Sequence, residues 1–280
     1  MSRDFRQLLE AQWEQGKFLC VGLDSDYEKI PQAARPARPG QVGVGETIVA
    51  FNRAIVDATK DLVCAYKPNS AFYEAHGDEG WKALRATIQY IHDQAPEVPV
   101  ILDAKRADIG NTNNGYVESA FDHLHADAIT VAPYQGGEAL APFLDRKEKG
   151  VIVWCRTSNP GASEFQDLNV GREPLYMVVA RHVAEKWNKN GNCGLVVGAT
   201  YPEELAAIRK EVGDMPILIP GVGAQNGDLE KTVAAAKDSR GRGMIISVSR
   251  AVIFASSGDD FAKAAREKVT ALHDAIRKAL

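Results

Sequence analysis

In the stretch Asp103-Ala104-Lys105-Arg106-Ala107-Asp108-Ile109, two carboxylates and an ammonium stand close together at the end of an apolar run, 98–102. Side chains alternate along a strand, so Asp103 and Lys105 share one face and Ala104 takes the other. Opposite charges directed together from the end of an apolar strand are costly to bury. Such a pair can fix strand geometry as a structural ion pair. It can also hold a fixed charge and a proton donor at a reacting centre. Asp108 lies just past the strand, where it can reach a different neighbour.

Other chain positions of the same kind follow other apolar runs. Asp24 comes directly after the run 18–23 and can accept hydrogen bonds from sugar hydroxyls or cap the following turn. In Lys67-Pro68-Asn69, Pro68 biases Lys67 to extended backbone, so its side chain leaves a strand end. A lysine there binds an anion, pairs with a carboxylate or snorkels to solvent. Thr157-Ser158-Asn159-Pro160-Gly161 can read a polar ring edge or form a plain turn. Gly221-Val222-Gly223-Ala224-Gln225 and Arg250 supply close backbone amides and a guanidinium, the means by which proteins hold phosphate.

What positions these residues is a repeating pattern. Short apolar runs recur at 18–23, 62–66, 98–102, 128–132, 151–155, 194–197, 217–219 and 244–248. Between them, 46–60, 80–94, 113–125, 174–187, 201–212 and 228–236 have helical spacing, and a closing helix occupies 259–280. Strand–helix alternation implies an α/β fold with a parallel sheet, and eight units in a chain of this length imply a single (β/α)8 TIM barrel. A doubly wound open sheet is the alternative. The expected organisation is one catalytic barrel over 1–280, with a short amino-terminal helix and a carboxy-terminal closing helix; the Pro/Gly-rich stretch 31–45 reads as a long loop after the first strand. In a barrel, chemistry belongs at the strand carboxyl ends, and phosphate sits by the seventh and eighth loops. The charged and glycine-rich segments above fall in those places.

Composition narrows the function classes. The 280 residues are 45% hydrophobic and 25% charged with a net charge of −4, so neither a nucleic-acid partner nor an anionic membrane is expected. An anionic ligand therefore needs a local basic cluster. No run of 18 apolar residues is present and the first 17 residues are charged and amphipathic, which makes the cytoplasm the default location. Cys20, Cys64, Cys155 and Cys193 are widely spaced in or beside apolar runs and read as small buried hydrophobes. His123 and His125 read as a solvated helix end in preference to a metal pair, and no metal site is expected.

Together these segments resemble the orotidine 5′-phosphate decarboxylase family over most of the chain. The Asp-x-Lys-x-x-Asp-Ile motif matches 103–109 in full, joined by Lys67, Thr-Ser-Asn-Pro-Gly at 157–161, Gly-Val-Gly-Ala-Gln at 221–225, and Arg250. The Thr-Ser-Asn-Pro-Gly motif and long first loop are similar to the longer bacterial branch; Asn226 stands where many relatives carry glycine. The resemblance implies cofactor-free decarboxylation of orotidine 5′-phosphate to UMP in pyrimidine biosynthesis. It implies a charge network of Lys67, Asp103, Lys105 and Asp108, in which Lys105 stabilises and protonates the C6 carbanion. It further implies that Asp24 and Asn69 contact the ribose or neighbouring groups, Ser158 the pyrimidine, and Gly223, Gln225 and Arg250 the 5′-phosphate. A homodimer with shared active sites is implied, each copy lending Asp108, Ile109 and Thr112 to the other. Two alternatives accompany this reading. A Mg2+-dependent sugar-phosphate decarboxylase or aldolase of the same barrel superfamily would need a further carboxylate near the second strand, where Lys67 stands. A non-catalytic phosphate-binding barrel would have no use for Asp103 and Lys105.

Overall fold

The computed structural model describes residues 3–36, 43–222 and 228–280. Eight parallel strands form the sheet: β1 (Leu19–Gly22), β2 (Val63–Lys67), β3 (Ile101–Arg106), β4 (Ala128–Val131), β5 (Gly150–Arg156), β8 (Cys193–Val197), β9 (Ile217–Pro220) and β10 (Met244–Val248). Their order is β2-β1-β10-β9-β8-β5-β4-β3. Single parallel bridges, Tyr66 to Val100 and Asn69 to Asp103, join the two edges, so the sheet closes on itself. β1, β2, β4, β8 and β10 are buried throughout their length, as strands with both faces covered must be. The expected TIM barrel is the observed fold.

Helices return the chain between strands: α2 (Val44–Thr59), α3 (Ala71–Glu74) and α4 (Gly77–Gln94), α5 (Asn111–Val117), α6 (Gly136–Leu144), α7 (Leu175–His182), α8 (Pro202–Val212) and α9 (Leu229–Ala236); α10 (Arg250–Ile253) and α11 (Phe261–Ala279) follow the last strand. Three differ from the sequence expectation, one of them the helix expected over 174–187, which is α7 followed by a π-type turn, Val183–Trp187. The segment expected as one helix over 113–125 is α5 followed by a wider π-type turn, Glu118–His123. Helix α6 was not anticipated, because Gly136, Gly137 and Pro142 are poor helix formers; it is held by burying Ala139, Leu140, Phe143 and Leu144. A two-residue hairpin, β6 (Asn169–Val170) with β7 (Glu173–Pro174), precedes α7. The stretch expected as a long loop, 31–45, contains one 3-10 turn, Gln32–Ala34, and its last two residues already belong to α2; another 3-10 turn, Tyr27–Lys29, precedes it.

The amino ends of the strands are closed by the first helix, α1 (Phe5–Glu14), whose cap Asp4 accepts from the Gln7 amide. It buries Phe5, Leu9 and Trp13, and the Trp13 indole donates to the Met244 carbonyl at 2.9 Å. Just before α1, Arg3 makes a two-pronged contact with Asp127, 2.8 Å to each oxygen, at the foot of β4. Burial alone would raise the Asp127 carboxyl, but Arg3 and the nearby His92 hold it down at about 2. The cysteines are all free and buried, and burial pushes the Cys20 and Cys155 thiols up to about 12.

A carboxyl held low stabilises the fold fully above its ordinary range near 4, and that contribution is lost as pH falls through its folded value. Asp127→Asn is expected to cost on the order of 2 kcal/mol in urea unfolding at pH 7. The gap to the unsubstituted protein should close as the pH approaches 2.

Candidate active site

With the amino ends plugged, a cavity of about 330 Å3 lies at the carboxyl ends of the strands. Asp24, Lys67, Asp103, Lys105, Ser158 and Arg250 all line it, although they come from the ends of five different strands or from the segments that follow them. Each is placed by local structure. The loop bearing Asp24 is pinned from beneath by a buried polar network: Ser25 Oγ donates to Asn52 Oδ1 (2.6 Å), Asn52 Nδ2 to Tyr73 Oη (2.9 Å), and the Tyr73 hydroxyl to the Leu23 carbonyl (3.0 Å). Satisfied networks of this sort rigidify what they touch. Arg250 opens α10 behind Ser249, and a Cβ on Gly22 would lie 1.9 Å from Ser249 Oγ, so glycine alone lets β1 and this turn meet. Gly198 serves the Ser158 loop likewise: an added Cβ would come 2.8 Å from that of Ser158.

The charged groups form a chain. Lys67 Nζ lies 2.8 Å from Asp103 Oδ2 and 3.8 Å from Asp24 Oδ1. Lys105 Nζ donates to Asp103 Oδ1 at 2.8 Å. The same oxygen accepts from the Thr130 hydroxyl at 2.9 Å, and Thr130 Oγ1 in turn accepts from the Lys105 amide at 3.0 Å. Burial disfavours the charged form of both Lys67 and Asp103, yet their partners win. Asp103 and Asp24 hold the Lys67 ammonium above its ordinary value, and Lys67 with Lys105 holds the Asp103 carboxyl far below its own. Two ammoniums and two carboxylates sum to zero, so Lys67 and Asp103 are buried in a cluster without net charge, while Lys105 stays exposed at its edge. Asp24 Oδ1 has no hydrogen-bond donor among the described residues, which leaves a buried acceptor on the cavity wall.

Asp103 and Lys105 meet, as alternation along a strand suggests, but β3 is not regular there. Its register against β4 jumps from Leu102–Ile129 to Arg106–Val131, and Lys105 is left-handed at φ 51°. The Lys105 ammonium also lies over the Trp154 ring, 5.0 Å from its centroid. Next to Trp154 and Cys155, Arg156 is buried and bonded to Glu204 (2.9 Å) and to the Thr157 carbonyl (3.0 Å), which ties the Thr157–Ser158–Asn159 corner to α8. Arg250 is exposed and makes no ion pair with any described residue.

Other predicted residues stand apart. Asn69 Oδ1 accepts from the Ala71 amide at 3.2 Å, and its side chain is not part of the cavity wall. Asp108, Ile109 and Thr112 lie outside the cavity of their own chain. The Asp108 carboxylate accepts from the Ile109 amide, and Ile109 and Thr112 are exposed. Asp24, in place of Asp108, completes the in-chain network. Gly223 and Gln225, with Asn226, fall outside the described residues. Sequence reasoning did not find Thr130 or Trp154. Both are ordinary strand residues by type, and only their place at the carboxyl ends of β4 and β5 could have drawn attention to them.

Ion-paired lysines and aspartates lining a cavity at the carboxyl ends of eight closed parallel strands define a (β/α)8-barrel enzyme. The model of the orotidine 5′-phosphate decarboxylase / HUMPS family matches residues 17–267, and the chain belongs to this family. It is an enzyme of the carboxy-lyase class. An orotidine 5′-phosphate decarboxylase of Cellvibrio japonicus is 50% identical over 277 residues, 98% of either chain. One of Cupriavidus metallidurans is 50% identical over 275 residues, again 98% of each. Among solved structures, the OMP decarboxylase of Leishmania donovani superposes with a TM-score of 0.80 at 38% identity, covering 97% of this chain and 99% of that one.

Removing one member of a buried pair leaves the other uncompensated, at a cost of about 3–5 kcal/mol. Lys67→Met should therefore lose stability of that order in urea unfolding at pH 7. Adding Asp103→Asn to it should restore part of the loss; a double variant as unstable as the sum of the two singles would contradict the coupling.

Proposed function

We propose that this protein decarboxylates orotidine 5′-phosphate to UMP, in the de novo synthesis of pyrimidines, with no cofactor. The observation that carries the reading is the Lys67–Asp103–Lys105 chain of ion pairs on the wall of a cavity that also presents the free guanidinium of Arg250. Arg250, with Gly223 and Gln225, takes the 5′-phosphate. Asp24 accepts from a ribose hydroxyl through Oδ1, which has no hydrogen-bond donor among the described residues, Asn69 lies nearby with its Nδ2 available, and Ser158 meets the pyrimidine.

In the reaction the bond from C6 to the carboxylate carbon breaks, CO2 leaves, and the electron pair remains on C6. That carbanion has no delocalising group, so a fixed positive charge beside it is the available stabilisation. Lys105 supplies the charge, transfers a proton from Nζ to C6 to give UMP, and regains a proton from solvent. Asp103 places negative charge next to the departing carboxylate and so disfavours the bound substrate relative to neutral CO2. Since Lys67 and Lys105 keep Asp103 ionised, this arrangement needs no rearrangement of protons before the substrate arrives. Binding of the distant phosphate holds the ring in reactive geometry.

A Mg2+-dependent sugar-phosphate reaction finds less support, because the Lys67 ammonium already occupies the space between Asp24 and Asp103 that a bridging cation would take. The functional unit in this reading is a homodimer. Ile109 and Tyr134, on the loops after adjacent strands β3 and β4, are 66% and 95% exposed, and a second copy would cover them while Asp108, Ile109 and Thr112 complete its site. No helix among the described residues is long and apolar enough to cross a membrane, which agrees with a cytoplasmic enzyme.

The test is the loss of orotidine 5′-phosphate absorbance with EDTA present. The unsubstituted protein is expected to turn over; no turnover would sink the reading, and EDTA-sensitive turnover would favour the metal-using alternative. Lys105→Ala should lower kcat on the order of 10^3-fold or more. Asp103→Asn should act mainly on kcat, whereas Arg250→Ala should raise KM by about 10- to 100-fold. Mixing inactive Lys105→Ala and Asp108→Asn homodimers should restore activity, because hybrid dimers hold one site with both residues intact. An active monomer in sedimentation, or no recovery on mixing, would contradict the shared site.

A further inference from the structure

We propose that Thr130 is a positioning residue for Lys105: its hydroxyl holds the left-handed backbone of the lysine and locks it to the Asp103 carboxylate. Between the pairs Leu102–Ile129 and Arg106–Val131, Thr130 is the one β4 residue opposite Asp103, Ala104 and Lys105. The regular ladder is broken at that point, and the Lys105 amide lies inside the break. It donates to Thr130 Oγ1 at 3.0 Å. The hydroxyl proton is thereby directed at Asp103 Oδ1, 2.9 Å away, and the same Oδ1 accepts from the Lys105 ammonium at 2.8 Å. Both ends of Lys105 thus terminate on one small ring of hydrogen bonds.

The geometry shows why this is needed. Lys105 and His125 are the only non-glycine residues among those described with positive φ, a conformation an L-residue keeps only when its surroundings enforce it. The left-handed turn lets the lysine fold back over its own strand, so that Nζ reaches Asp103 while lying over the Trp154 ring. In an ordinary extended conformation the side chain would be aimed elsewhere. Thr130 is completely buried, so no water is at hand to replace its hydroxyl. Valine has nearly the same shape but can neither accept from the Lys105 amide nor donate to Asp103; serine can do both.

This inference rests on Lys105 acting as the proton donor, and the test separates the two claims. Unsubstituted enzyme, Lys105→Ala, Thr130→Val and Thr130→Ser are assayed side by side for kcat, KM and UMP affinity, with unfolding curves to count folded protein. Thr130→Val should lower kcat per folded site on the order of 10- to 100-fold, because the reacting group is displaced rather than removed. KM and UMP affinity should stay unchanged, and Thr130→Ser should recover most of the rate. If Thr130→Val does not fold, Thr130→Ala removes the same hydroxyl and carries the same expectation. A purely structural role would lower the unfolding midpoint and leave kcat per folded site intact, which would overturn the proposal, as would a serine variant no better than valine. An inactive unsubstituted enzyme would instead contradict the decarboxylase reading itself.

Discussion

The Asp103 carboxylate is the constraint around which this site is built. A buried negative charge is tolerated only when opposite charge and hydrogen bonds replace the water it has lost. Here Lys67 takes one oxygen, and Lys105 shares the other with Thr130. Each of those groups comes from a different place in the barrel: the end of β2, the irregular end of β3, and the buried face of β4. Getting all of them to a single carboxylate requires the two ends of the sheet to meet. The bridge that helps close the barrel joins Asn69 to Asp103 itself, with the Asp103 amide bonded to the Pro68 carbonyl at 2.9 Å. Barrel closure and charge compensation are therefore the same event at this position.

Stability and chemistry are segregated along the barrel axis. At the amino ends, α1 and the Arg3–Asp127 contact seal the core with groups that the cavity never touches. At the carboxyl ends, the polar residues are exposed to a cavity and supported by networks just below it: Asn52 and Tyr73 under Asp24, Arg156 and Glu204 beside Ser158, Thr130 under Lys105. The supports are nearly all buried and satisfied, while Asp24 Oδ1 and Arg250 retain capacity for a ligand. That division leaves the site poised before anything binds, which is what the proposed electrostatic stabilisation of a carbanion requires.

Much of this was legible in the residues. Seven of the eight apolar runs coincide with barrel strands, because a parallel sheet buried on both faces must read as continuous apolar segments; the third, 98–102, overlaps only the start of β3. Charged residues immediately after such runs, as at Asp24, Lys67 and Asp103, stood out for the same reason. Helix α6 did not, since tertiary burial overrides the poor propensity of Gly136, Gly137 and Pro142. The left-handed Lys105 and the interrupted β3 ladder were equally hidden: lysine carries no local signal for positive φ, and the acceptor of its amide, Thr130, comes from across the sheet. Threonine in a strand is unremarkable by type, so its role appears only once the register is known. Asp108, Ile109 and Thr112 lie outside the cavity of their own chain, and the part proposed for them belongs to a second copy.

The most direct measurement of the central claim is a crystal structure of the protein with UMP bound. The account predicts the phosphate on Arg250, the ribose beside Asp24, and C6 within about 3 Å of the Lys105 ammonium, the reach that proton transfer requires. Asp103 should still bridge Lys67 and Lys105 in that complex. A nucleotide seated with C6 remote from Lys105, or a Lys105 released from Asp103 and turned toward solvent, would contradict it.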